Sequence, residues 1–157
     1  MKYIDSVEKK FRKLFLNRNL LIKYDVYGDG EKLDDVCYFY TEKGYIGFFI
    51  NGVNPYFTTE ELNSFDSFNL FSVYEKVECV VDSDFSSFDI KSIKLVFCPS
   101  YNELLGFFIS NETSNVISII FQYDSIKINF INKIDFKKEL EENLRHFNYN
   151  ELIFLDI

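Results

Sequence analysis

Between Tyr3 and Leu16 the apolar side chains Ile4, Val7, Phe11, Leu14 and Phe15 recur at helical spacing, while Lys9, Lys10, Arg12 and Lys13 take other parts of the cylinder. That is the signature of an amphipathic helix with one buried stripe. Asp5 followed by Glu8 resembles a start signal near its N-terminal end. From Leu20 the character of the chain changes. Leu20 to Tyr27 is β-branched and aromatic enough for a strand, and Gly28-Asp29-Gly30 ends it as a turn. Val36–Thr41 and Tyr45–Ile50 form a hairpin candidate around Glu42-Lys43-Gly44, with Asn51-Gly52 as the next turn. Thr58 and Glu61 stand at capping-box spacing, which predicts a helical turn starting there, followed by an aromatic-bearing loop over Asn63–Leu70.

The second half is richer in strands. Val73, Glu75, Val77, Cys79 and Val81 alternate with Tyr74, Lys76 and Glu78, as a strand requires. Ile93–Cys98 is another strand, stopped by Pro99, and Leu104–Ser110 with Val116–Tyr123 predicts a second hairpin around 111–115. Ile126, Ile128 and Phe130 alternate with Lys127 and Asn129. Asp135 then opens a helix to about Phe147, with Phe136, Leu140, Leu144 and Phe147 as its stripe, and Leu152–Leu155 closes the chain as a short strand. Helix, many strands, helix predicts an α+β fold in which a mostly antiparallel sheet packs against N-terminal and C-terminal helices. With no repeat or Pro/Gly-rich linker, residues 1–157 are expected to form a single domain.

Composition narrows the functional classes. The chain is 47% hydrophobic and 19% aromatic, with 19 Phe, 11 Tyr and no Trp, which excludes disorder. No apolar run reaches the length of a membrane span, and the N-terminus lacks a secretory apolar region. A cytoplasmic protein with no membrane partner is expected. Cys37, Cys79 and Cys98 are odd in number and lack a CxxC pair, so they read as buried small hydrophobes in a reducing compartment. Net charge is −8, and it is uneven: +4 over residues 1–27, −10 over 28–90 and −2 over 91–157. An acidic surface repels phosphate backbones, so nucleic acid is not an expected partner. The same field attracts a basic one.

Catalytic chemistry finds little support. The one histidine, His146, has no second His or Cys at ligand spacing. The acidic stretch from Asp25 departs from a calcium loop at Tyr27 and Val36, where the motif needs a polar ligand and a bidentate Glu. No GxSxG, GxGxxG or GxxxxGK[ST] pattern occurs. No catalytic residue, metal or cofactor is therefore expected. What remains is an acidic middle in which carboxylates alternate with aromatics. One reading makes the aromatics core and the acids their solvated flanks. The sharper reading makes Glu60, Glu61, Asp66, Asp82, Asp84 and Asp89 partner-facing, with Tyr56 or Tyr74 as anchors.

The short alternating segments Tyr45-Ile-Gly-Phe-Phe-Ile-Asn51 and Pro99-Ser-Tyr-Asn-Glu-Leu-Leu-Gly-Phe-Phe-Ile109 sit in a small, acidic, Phe/Tyr/Asn/Ile-rich chain. In that overall style the chain resembles the immunity proteins of bacterial polymorphic toxin systems, including contact-dependent growth inhibition. The resemblance implies tight binding to a cognate toxin, often a basic nuclease, and occlusion of its active site. Two alternatives stay open: a small-ligand domain with an aromatic-lined pocket, and a phage anti-defence protein that imitates the charge of DNA.

Overall fold

The helical stripe of residues 3–16 and the period-two segments become the elements they imply, while Val73, Val81 and the loop expected over Asn63–Leu70 lie outside the described residues. The computed structural model describes residues 2–59, 74–79, 83–145 and 147–157. Helix α1 spans Lys2–Leu14. Its stripe residues Val7, Phe11 and Leu14 are buried, and so is Phe15 just beyond its end, so amphipathicity decides how the helix sits. Strands β1 (Asn19–Gly28), β2 (Glu31–Lys32), β3 (Val36–Thr41), β4 (Gly44–Ile50) and β5 (Pro55–Thr59) pair in the order β2-β1-β3-β4-β5. Strands β6 (Glu75–Glu78) and β7 (Phe88–Asp89) also pair with β1. Tyr24 pairs with both Tyr38 and Glu78, and Leu20 with both Thr41 and Phe88. Hence β6 and β7 line the edge of β1 opposite β3.

Past β7 the chain crosses into a second antiparallel sheet. It contains β8 (Ser92–Cys98), β9 (Glu103–Ser110), β10 (Val116–Gln122), β11 (Ser125–Ile131) and β12 (Ile153–Asp156), in the order β11-β10-β9-β8-β12. Helix α2 (Phe136–Asn143) lies between β11 and β12 in sequence, and Asp135 caps it by accepting the Lys138 N–H at 3.2 Å. The α+β class is as expected, but the strands divide into two sheets. Alternation fixes which side chains turn inward and leaves open which strands pair.

One apolar cluster joins α1 to the inner faces of both sheets. Phe11 stands edge-on to Phe57 of β5 at 5.1 Å and to Phe107 of β9 at 4.6 Å, a favoured geometry for ring pairs. The outer face of the second sheet carries Val96, Leu105, Phe108, Val116 and Ile120, which pack with Leu140 of α2. Polar bonds fix the helix on that face: buried Ser118 donates to Glu139 Oε1 at 2.9 Å, and Asn129 donates to the same oxygen at 2.8 Å. Two glycines permit close approaches. A Cβ at Gly47 would fall 2.4 Å from the Tyr38 ring, and one at Gly106 would fall 2.6 Å from the Ile119 carbonyl oxygen.

Two local expectations change. Thr58, expected to open a helical turn, pairs with Gly47 inside β5. Burying Phe57 and Thr58 in an extended ladder outweighs the capping signal, while Glu60 and Glu61 lie outside the described residues. Helix α2 ends at Asn143 and not at Phe147. Leu144 is extended, and the Asn143 side-chain amide donates back to the Glu139 carbonyl at 2.8 Å, a local bond that competes with continued helix. Among the described residues no helix is long and apolar enough to cross a membrane.

Candidate partner-binding surface

Four loops meet at one end of the two sheets. They are the β4–β5 turn, the turn Pro99–Tyr101 with the residues leading into β9, the β10–β11 turn, and the chain leaving α2. Backbone geometry makes the turns tight: Asn102 and Asp124 take φ near +55°, and Gly52 takes +90°, values that Asn, Asp and Gly tolerate best. Hydrogen bonds then tie the loops together. The Gly52 N–H donates to Asp124 Oδ1 at 2.6 Å, and the Leu104 N–H donates to Asn54 Oδ1 at 3.0 Å.

Arg145 is the hub. It is 5% exposed, and Nη2 donates to the Val53 carbonyl at 3.0 Å and to Glu103 Oε2 at 2.9 Å. Glu103 supplies the counter-charge that a buried guanidinium requires. Tyr123 lies over the guanidinium at 4.8 Å and Phe147 at 5.9 Å, within cation–π range. Tyr101 meets Phe147 edge-on at 5.9 Å. Around this buried cation the surface is apolar and accessible: Tyr101 is 66% exposed, Tyr123 54% and Val53 36%. Nε and Nη1 of Arg145 are buried with no hydrogen-bond partner among the described residues.

Carboxylates flank this end. The Asp35 carbonyl accepts the Ile50 N–H at 2.9 Å, and the Asp34 carbonyl accepts the Ile126 N–H at 2.7 Å, which places both aspartates beside the β4–β5 and β10–β11 turns. Burial pushes the Asp35 carboxyl above its ordinary range, and the neighbouring charges of Asp124 and Asp34 add to that against a backbone hydrogen bond. The site therefore joins exposed Tyr side chains, a buried Arg and three acids.

The residues singled out from sequence fall elsewhere. Tyr56 is 47% exposed on β5, stacked on Phe49 at 6.3 Å. Tyr74 packs with Val26, Val36 and Tyr38, and Phe49 joins the same group, so the two tyrosines share the outer face of the first sheet. Asp84 and Asp89 are at the opposite end of the molecule from Tyr123. The Asp84 carbonyl accepts from Asn115 at the start of β10, whereas Tyr123 follows that strand's last residue. Seven residues at about 3.3 Å per residue separate the ends by roughly 23 Å. Asp89 is ion-paired with exposed Lys91 at 3.2 Å, a surface pair of small value. Glu60, Glu61, Asp66 and Asp82, like His146, lie outside the described residues.

Sequence reading missed the Arg145 surface because Val53, Tyr101, Tyr123 and Arg145 come from four separate segments. The one local signal was the pair of tyrosines seated in polar turns, Ser100-Tyr101-Asn102 and Tyr123-Asp124.

A second feature is a cavity of about 170 Å³ lined by Lys23, Asp25, Lys32, Cys37, Cys79 and a wall of Ile126, Ile128 and Phe130, among others. Lys23 is buried and forms an ion pair with Asp25. Burial works against its charge, but its surroundings overcome this and hold its pKa above the ordinary lysine value. Cys37, the hydrogen bond and charge of Asp25, and Cys79 supply that rise, and burial pushes the Cys37 thiol itself up to about 12. Among the described residues the lining carries one aromatic, Phe130. Among the described residues no group of three His, Cys, Asp or Glu side chains is placed to hold a metal ion. No family model matches the chain, and no curated protein or solved structure matches it.

Proposed function

We propose that the protein is an inhibitor of the immunity type, which binds a basic protein toxin and covers its active site or substrate groove. The observation that carries this reading is the exposed Tyr101–Tyr123–Val53 cluster around buried Arg145, with Asp34, Asp35 and Asp124 beside it. Tyr and Arg are the residues most enriched among binding hot spots. Acids around an apolar centre steer and orient a basic partner while contributing less to affinity themselves. Tyr56 and Tyr74 extend the aromatic area over the outer face of the first sheet. Glu60, Glu61, Asp66 and Asp82 are kept as candidates for its acidic margin, whereas Asp84 and Asp89, at the far end of the molecule, are not part of it.

The test is affinity capture of the tagged protein from its source cell, with mass spectrometry of what is retained. A stoichiometric basic protein, released at raised salt and lost with Tyr101→Ala/Tyr123→Ala, is the expected result. Replacing Asp34, Asp35 and Asp124 by Asn should also weaken capture. A partner whose affinity is unchanged by either set would remove this surface from the proposal.

A small-ligand domain is the second reading, and the cavity around Lys23 is where a ligand would be sought. A thermal-shift screen against metabolites separates the two readings, because a ligand bound only by the native state raises Tm by mass action. An inhibitor acting by occlusion should give no response.

A further inference from the structure

We infer that Arg145 is a receptor for a main-chain carbonyl of the partner, offered by a basic segment that docks at the four-loop end of the molecule. This rests on the reading above for the partner's being a protein, and adds what that protein must present.

The donor inventory leads to it. A guanidinium carries five N–H donors and no acceptor. Nη2 gives its two to the Val53 carbonyl and Glu103 Oε2. The donors on Nε and Nη1 are buried without a partner among the described residues. Buried donors are ordinarily satisfied, so three on one side chain call for an acceptor. The rings of Tyr123 and Phe147 occupy positions over the guanidinium, and its N–H bonds lie in its own plane. An acceptor must therefore arrive edge-on, as a planar peptide group does.

Charge then selects the acceptor. Glu103 already balances Arg145, and Asp34, Asp35 and Asp124 are gathered nearby. A second carboxylate would be repelled by that field, whereas a neutral carbonyl would not. The acids instead suit Lys or Arg side chains on either side of the docked carbonyl. Tyr123, stacked on the guanidinium face, is half exposed on a two-residue turn. Tyr101 and Val53 then offer apolar contact to the side chain next to the bound peptide group.

The chain has three arginines, Arg12, Arg18 and Arg145, so the Nε–H signals can be assigned by substituting each in turn. The experiment is ¹⁵N NMR of the full chain titrated with the capped peptide acetyl-Lys-Leu-Gly-Lys-amide. Acetyl-Glu-Leu-Gly-Glu-amide and sodium acetate serve as comparisons. The expected result is a saturable shift of the Arg145 Nε–H with the basic peptide and at least tenfold weaker response to the acidic peptide and acetate. No shift with the basic peptide overturns the inference, and an equal or larger shift with acetate overturns it in favour of a carboxylate receptor. The titration uses the unsubstituted protein, so loss of fold in an Arg145 variant does not confuse it. If a basic protein is captured from cells and leaves the Arg145 signal unmoved, this inference falls while the inhibitor reading stands. If the peptide shifts the signal and no protein is captured, the inhibitor reading falls alone.

Discussion

Phe11→Ala should unfold both sheets together, because this one ring is packed against both. Phe11 is fully buried and meets Phe15, Phe57 and Phe107 at ring-centroid distances of 5.1, 5.1 and 4.6 Å. Truncating a buried Phe to Ala costs about 3–5 kcal/mol through lost transfer energy and the cavity left behind. The well-oriented ring pairs place this site towards the upper part of that range. In a chain of this size each kcal/mol moves Tm by roughly 2–4 °C, so about 4 kcal/mol lowers it by roughly 8–16 °C. Urea unfolding followed by tyrosine emission and by far-ultraviolet circular dichroism measures the change, and the absence of Trp leaves Tyr as the emitter. Both probes should trace one transition displaced to lower urea. A loss below about 1 kcal/mol, or two separate transitions, would refute the shared core and with it the expectation of one domain. Tyr101→Ala is the control, since an exposed ring removed from the surface should change stability by no more than about 0.5 kcal/mol.

Other perturbations probe particular features. Glu103→Ala strands a buried guanidinium, so it should cost about 3–5 kcal/mol, and Arg145→Met in the same chain should recover much of that loss in a double-mutant cycle by chemical denaturation. Gly106→Ala drives a Cβ to 2.6 Å from a backbone oxygen of β10, and the strand displacement should cost about 1–3 kcal/mol by thermal melting. The Asp35 carboxyl is raised in the folded protein, so folding holds a proton there that the unfolded chain releases sooner, and stability falls as pH rises through the folded value. Asp35→Asn should consequently be at least as stable as the parent at pH 7, with the gain fading below about pH 4; a clear loss at pH 7 with none at pH 3 would contradict the sign. Cys37, with its thiol near 12, should resist iodoacetamide at pH 8 in the native state and react only after denaturation.

Most of the fold could be read from side-chain period. Where one face is buried and the other wet, as in α1, the pattern leaves little choice of element. The same is true of the hairpin β3–β4, whose expected turn at 42–44 is closed by Gly44 at φ +102° opposite Thr41. The division into two sheets was not legible, because an inward Phe on β5 and an inward Phe on β9 look alike until Phe11 is seen between them. The early end of α2 escaped for a related reason: Leu144 and Phe147 keep helical spacing, but Arg145 is held by Val53 and Glu103, partners 92 and 42 residues away. The site suffered most. Reasoning from charge density chose carboxylates close in sequence, and the fold sends Asp84 and Asp89 to the end far from Tyr123. Three acids that do gather, Asp34, Asp35 and Asp124, include one drawn from outside the most acidic stretch.

The measurement that bears most directly on the account is parallel capture of cellular proteins on the unsubstituted chain and on the Tyr101→Ala/Tyr123→Ala variant, at low and raised salt. A basic protein held one-to-one by the first, shed as salt rises, and held at least tenfold more weakly by the second is the expected result. Equal retention by both chains, or a partner that is not basic, would contradict it.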